Sequence, residues 1–295
     1  MQSLENFSRI NILILSHEIP QDSKLYFGKS AKIKRDFENL VSKTFYENGY
    51  EEILTPSFTY LQHQRDTQSR EFVRISNPSN HQIALRNDST IDAIRLLAPH
   101  LKENAIKKKW FYIQPIFVYP TKEIHQIGAE NLEERDILPF IEMSLSVLCE
   151  IQIKPLLQLS NVKIPKICAK EFGIPLEVFE KNEVGTIQSA NAFLSELLEV
   201  QDEQSLKAVL EKSPKCLQEE LEKLLDLAKQ INYQNKILAP FFYSPMSYYS
   251  GMLFRFFLEN QTMILGGEYE ILEQKACGFG FYTDAIILHL MKEGK

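Results

Sequence analysis

The chain has 295 residues, 44% of them hydrophobic and 24% charged, which is enough apolar mass for one large packed domain and excludes wholesale disorder. A formal net charge of −6 argues against a nucleic-acid-binding module, because such modules hold phosphates with a basic field. Cys149, Cys168, Cys216 and Cys277 form no CxxC pair, and the six histidines show no HExxH spacing, so reduced thiols and no metal or other cofactor are expected.

Near the start, Ile10 to Leu15 is apolar but far too short to span a bilayer, and no basic region follows Met1. A cytoplasmic protein with no membrane partner is expected. From Ser30 to Asn48, Ile33, Phe37, Leu40, Val41 and Phe45 recur at helical spacing. Ser30 is placed to cap this helix, and Gly49 sits where a left-handed residue closes it. Glu51 to Pro56 reads as a strand stopped by its proline.

Val73 to Ser76 and Ile83 to Arg86 read as short strands around the turn Asn77-Pro78-Ser79-Asn80. A helix starts near Ser89, with Asp88 or Ser89 as its cap, and should end at Pro99. Lys107, Lys108 and Lys109 read as a solvated basic run. Trp110 to Tyr119 and Ile124 to Glu130 read as a hairpin joined through Thr121-Lys122-Glu123. Alternation along the second strand puts Gln126, Gly128 and Glu130 on one face, where the glycine leaves room between two polar groups.

From about 165 to 235 the pattern is helical, with Leu206, Val209, Leu210, Leu217, Leu221, Leu224, Leu225 and Ala228 as core positions. Strand character returns from Ser247 to Phe257, from Thr262 to Leu265 and from Ala276 to Phe281. An apolar helix closes the chain from about Thr283 to Met291. Hairpins, a helical block and further strands predict an α+β fold on an antiparallel sheet, rather than a doubly wound parallel one.

Six segments in this order carry a family resemblance. The helix ending Asn48-Gly49 and the run Tyr50 to Pro56 resemble motif 1 of class II aminoacyl-tRNA synthetases. Leu85-Arg86-Asn87-Asp88-Ser89-Thr90 resembles the Leu-Arg-Pro-Glu-x-Thr element of histidyl-tRNA synthetases, with Asn87 in place of the proline. His125-Gln126-Ile127-Gly128-Ala129-Glu130 is the same as that family's strand, residue for residue. Tyr248-Tyr249-Ser250-Gly251-Met252-Leu253-Phe254 resembles the segment lining its side-chain pocket. Gly266-Gly267-Glu268-Tyr269-Glu270 resembles its Gly-Gly-Arg-Tyr-Asp turn, and Ala276 to Phe281 the opening of motif 3.

The resemblance implies a class II synthetase-like core over residues 1–295, with a helical insertion at about 165–235 and no anticodon-binding domain. It implies a dimer with Pro56 at its centre. It also implies a histidine pocket made by Asp88, Thr90, Gln126, Glu130, Tyr248 and Tyr249. A carboxylate and a hydroxyl such as Asp88 and Thr90 suit an ammonium group.

The cationic positions of the family depart from its pattern. Motif 2 would supply Phe-Arg-x-Glu, where this chain has Phe117-Val118-Tyr119-Pro120. Motif 3 would supply Gly-x-Glu-Arg, where it has Tyr282-Thr283-Asp284-Ala285. The family's Arg-Gly-Leu-Asp stretch is Ser244-Pro245-Met246-Ser247 here, and Glu268 replaces the arginine of the Gly-Gly turn. Adenylation builds charge on phosphate oxygens and requires arginines or metal there. No catalytic residue and no tRNA partner are therefore expected.

This pattern resembles the histidyl-tRNA synthetase-like regulatory subunits of ATP phosphoribosyltransferase. The resemblance implies hetero-oligomeric assembly with the short-form catalytic subunit in histidine biosynthesis, supporting its activity and its feedback inhibition by histidine. Two other readings fit the same residues: a stand-alone histidine-binding sensor or scaffold, and an active synthetase-type ligase.

Overall fold

The structure is a computed structural model that describes residues 18–64, 71–76, 82–101, 106–244 and 246–294. The apolar run Ile10 to Leu15, the turn at 77–80 and Pro245 lie outside the described residues. Helix α1 spans Lys29–Glu47 and buries Phe37, Val41 and Phe45. Gly49, at φ 80°, closes it: its N–H donates to the Tyr46 carbonyl, the Tyr50 N–H donates to that of Phe45, and the rings of Phe45 and Tyr50 pack 5.7 Å apart. Ser30 is not the cap. It lies inside the first turn, and its hydroxyl accepts from the Phe27 N–H at 3.0 Å.

Strand β1 is only Glu51–Glu52, so the extended reading to Pro56 is too long. The chain leaves the ladder because side chains satisfy its backbone. The Thr55 N–H donates to Gln114, and the Thr55 and Pro56 carbonyls accept from Arg86. Strands β2 (Phe58–Tyr60), β3 (Arg74–Ser76) and β4 (Gln82–Leu85) form a small sheet in the order β2-β4-β3. Helix α2 spans Ser89–Leu101, carries Pro99 in its last turn rather than ending there, and is capped by Asp88, whose Oδ1 accepts from the Ile91 N–H at 3.0 Å.

Strands β5 (Lys109–Val118) and β6 (Lys122–Leu132) are a hairpin with Tyr119-Pro120-Thr121 between them. Lys122 and Glu123, expected in the connection, pair with Val118 and Phe117. Helix α3 (Leu138–Glu150) and β7 (Leu156–Asn161) come next; the sequence pattern did not suggest either. The helix is apolar on most sides, with Phe140, Ile141, Met143, Val147 and Leu148 all buried, which blurs its period.

Six helices occupy residues 163–230: α4 (Lys163–Phe172), α5 (Leu176–Glu180), α6 (Val184–Ala190), α7 (Ala192–Leu198), α8 (Glu203–Leu210) and α9 (Lys215–Gln230). Strands β8 (Lys236–Leu238), β9 (Tyr249–Leu258), β10 (Gln261–Ile271) and β11 (Gln274–Tyr282), then α10 (Thr283–Lys292), complete the described chain. Gly266 and Gly267 lie within β10 and not in a turn. Their missing side chains serve close packing: a Cβ on Gly267 would stand 2.5 Å from the Met252 carbonyl oxygen.

The large sheet has the order β1-β5-β6-β11-β10-β9-β7-β8. Its interior pairs are antiparallel, and both edge pairs, β1 with β5 and β7 with β8, are parallel. The fold is α+β. Alternation divides the sheet's two faces between two cores. Phe254 and Phe256 pack with α1, α3 and the helices of 163–230, whereas Tyr249 and Leu253 pack with α2. The second face holds the site described next. Among the described residues no helix is long and apolar enough to cross a membrane.

Candidate functional site

Two devices put polar side chains on the α2 face of the sheet. The first is strand alternation in β6, which turns Gln126 and Glu130 to that face while Ile127 and Ala129 go to the opposite core. The second is the start of α2, where Asp88 and Thr90 stand on the first turn. A narrow cavity, open on one side, lies between them. Asp88, Thr90, Gln126, Glu130, Tyr248 and Tyr249, scattered over more than half the sequence, all line it. Pro56 lies elsewhere, on an exposed segment.

Glu130 is the centre of the polar cluster and is 2% exposed. Its Oε1 accepts from the Thr90 hydroxyl at 2.9 Å and the Tyr112 phenol at 3.2 Å; its Oε2 accepts from the Tyr269 phenol at 2.7 Å. Burial dominates over these hydrogen bonds and pushes its carboxyl up to about 8. Burial, reinforced by the Glu130 charge, likewise raises the phenols of Tyr112 and Tyr269 well above their usual range, which keeps them protonated as donors.

Glycines make the room. A Cβ on Gly128 would run into the Tyr112 ring, and one on Gly278 into the Glu130 carboxylate. Tyr112 and Tyr269 were not singled out from the sequence. The signal for Tyr112 was available in the hairpin register, which sets it opposite Gly128. Tyr269 stands inside the Gly-Gly-Glu-Tyr-Glu segment, and the ring of Tyr248 meets it edge-on at 5.8 Å.

The residues noted for lacking positive charge fall in different places. Val118 ends β5, and Ala285 is buried in the first turn of α10. Beside it, the Asp284 carboxylate accepts from the Tyr26 phenol and from the His125 N–H. Met246 lines the cavity, and Ser244 is buried, its hydroxyl accepting from the Met246 N–H at 3.2 Å. Glu268 does not line the cavity; it packs against Gly251.

Each lysine of the basic run is engaged within the chain. Lys107 pairs with Glu51 at 2.6 Å and Lys108 with Glu133 at 2.5 Å, while Lys109 donates to the Asn48 carbonyl. Among the described residues no cluster of His, Cys, Asp or Glu is placed to hold a metal ion.

Comparison with known proteins gives a consistent picture. A family model described as histidyl-tRNA synthetase matches residues 27–286. An ATP phosphoribosyltransferase regulatory subunit of Wolinella succinogenes is 48% identical over 284 residues, covering 96% of this chain and 99% of the relative. One from Helicobacter hepaticus is 45% identical over 93% of this chain and 98% of its own length. Among solved structures, an ATP phosphoribosyltransferase regulatory subunit/histidyl-tRNA synthetase from Bacillus halodurans superposes with a TM-score of 0.82 at 17% identity, over 93% of this chain and 83% of that one. At that identity the superposition speaks for the fold alone.

Proposed function

This chain belongs to the family of ATP phosphoribosyltransferase regulatory subunits, built on the histidyl-tRNA synthetase domain, and we propose that it is the non-catalytic partner of a short-form ATP phosphoribosyltransferase and makes that enzyme's activity responsive to histidine. The single observation that carries the histidine part of this reading is the cavity. It gathers a helix-capping carboxylate, a buried glutamate with three hydroxyl donors, and tyrosine walls at one site. Asp88 and Thr90 suit the ammonium group, and the Glu130 end, walled by tyrosines, suits a flat polar ring.

The non-catalytic part rests on the aliphatic side chains at 118 and 285, which offer a phosphate nothing to hold it. In this reading residues 163–230 form a helical insertion in one synthetase-like unit, and the acidic chain with self-paired lysines has no tRNA partner. Two copies join through the motif 1 segment. There Leu54, Phe58 and Tyr60, at 72%, 60% and 50% exposed, flank Pro56 and leave apolar surface for a second copy to cover. The protein works in the cytoplasm, with its four cysteines as free thiols.

The test is co-expression with the short-form transferase. Co-purification, a gain in transferase activity and histidine inhibition that depends on this chain are expected. Histidine binding by the isolated chain with no co-purification would leave a stand-alone sensor. Histidine-dependent pyrophosphate exchange would overturn the non-catalytic reading.

A further inference from the structure

Strand β9 carries a cation for which the fold supplies no anion. Phe254 and Phe256 turn to the core under α1 and α3, which leaves Arg255 and Phe257 on the cavity's side of the sheet. There the Arg255 guanidinium packs on two rings, with Cζ 4.4 Å from the centroid of Phe242 and 4.3 Å from that of Phe257. Among the described residues no carboxylate forms an ion pair with it. Its buried Nε has no hydrogen-bond partner among them, and neither has the buried Oε1 of Gln158, which stands directly across the β7–β9 register. Such orphaned groups are costly in a finished fold and are tolerated where something outside the chain completes them.

The surroundings select what completes them. Arg255, Phe257, Phe242, Gln158, Leu156 and Ile237 are all half-buried. Helix α2 packs on β5, β6 and β10, which leaves β9, β7 and β8 half-covered on this face. An arginine bounded by rings within a half-covered apolar patch has the composition of a protein–protein contact centre. A small metabolite would call for an enclosing pocket. A guanidinium packed on rings keeps its N–H edge for a partner, which matches the two oxygens of a carboxylate. An acidic residue of a partner carries both missing groups: a carboxylate to accept from Arg255 and a main-chain N–H to donate to Gln158.

Its place beside the cavity points to the partner. Arg255 pairs in the β9–β10 register with Leu265, which lines the cavity. The connection from β8 to β9 carries Phe242, whose carbonyl accepts from the Ser160 hydroxyl at 2.8 Å, and then Met246 and Tyr248, which line the cavity. A subunit that responds to the cavity's occupancy does so most directly through an element that the ligand also touches, and this connection is one. We propose that Arg255, held by Phe242 and Phe257, is the docking point for an Asp or Glu side chain of the short-form transferase subunit. This rests on the reading of the chain as that enzyme's partner.

Two measurements on the full chain with the short-form transferase test it. The first is the dissociation constant of the complex, read by sedimentation. Arg255→Gln keeps the stem beside the rings and removes the charge; it should weaken association about 30-fold or more while melting at the native temperature. Arg255→Lys should recover only part of the loss, because a lysine cannot hold a carboxylate through two nitrogens. The second is photocrosslinking from benzoylphenylalanine placed at Ile237, beside the patch, which should capture a transferase peptide. The crosslink decides the matter if Arg255→Gln does not fold. An unchanged dissociation constant in folded Arg255→Gln, a crosslink to a second copy of this chain, or no crosslink overturns the proposal and leaves the transferase reading standing. If the native chain does not associate with the transferase at all, that reading itself fails and takes this inference with it.

Discussion

Gly278 on β11 stands directly opposite Glu130 on β6 in the antiparallel register, and a methyl group on Gly278 would land on the Glu130 carboxylate and within 2.7 Å of the Ala129 carbonyl oxygen. The glycine is there to make space for the acid. Gly278→Ala should cost about 1–3 kcal/mol by overpacking, read from the urea midpoint. It should also abolish histidine binding, because Glu130 must move off its three donors.

Glu130 sets a pH dependence whose sign is fixed by its raised carboxyl. The usual value is 4.5 and the folded value about 8. Between these the folded state binds the proton and the unfolded state does not, so Glu130 makes the protein lose stability as pH rises from 4.5 to 8, by at most about 1.4 kcal/mol per pH unit. Glu130→Gln should flatten the curve of unfolding free energy against pH over that window. An unchanged slope would show that the carboxyl ionises normally in the fold.

Arg86 is 1% exposed and donates to the carbonyls of Thr55, Pro56 and Pro115 and to the Thr55 hydroxyl. It ties the segment after β1 to β5, and it holds the stretch leading to Asp88. A lysine has one nitrogen and cannot reproduce this fork. Arg86→Lys should lower stability by roughly 3 kcal/mol, seen as a drop in Tm, since several buried carbonyls lose their donors.

The Tyr26 phenol donates to Asp284, and burial together with that partner lifts the phenol far above its normal range. The same N-terminal stretch caps the β5–β6 hairpin: Ser23 donates to the Thr121 carbonyl, and the Glu123 N–H donates to that of Asp22. Tyr26→Phe should release this stretch locally, at about 1 kcal/mol, with faster hydrogen exchange at residues 18–28 and little change elsewhere.

The exposed apolar side chains around Pro56 predict an association that a charge would block. Phe58→Asp should halve the mass measured by light scattering at micromolar concentration. A native chain already monomeric under those conditions would remove this face as the dimer contact.

The motif-bearing segments could be read directly because local chemistry dictates them. Gly49 and the periodicity of α1, Asp88 as a cap, and the alternation of Gln126 and Glu130 each depend on neighbours a few residues away. Readings failed where the deciding partner is remote. Ser30 suits an N-cap, yet its hydroxyl turns back to Phe27; Glu51 to Pro56 suits a strand, yet Gln114 and Arg86 take its backbone groups. The Gly266-Gly267 pair suits a turn, yet its purpose is the close approach of β9 and β11.

Sequence by itself determined the fold class and, on β6, which side chains share a face, because alternation and helical period are local properties of the chain. Tertiary structure alone decided that Tyr112 and Tyr269 complete the ring of donors around Glu130, since they come from strands on either side of β6 and β11. It also decided the direction in which that carboxyl is shifted. Its raised carboxyl comes from burial set against the hydrogen bonds of Tyr269, Thr90 and Tyr112, and none of these exists until the sheet has closed around it.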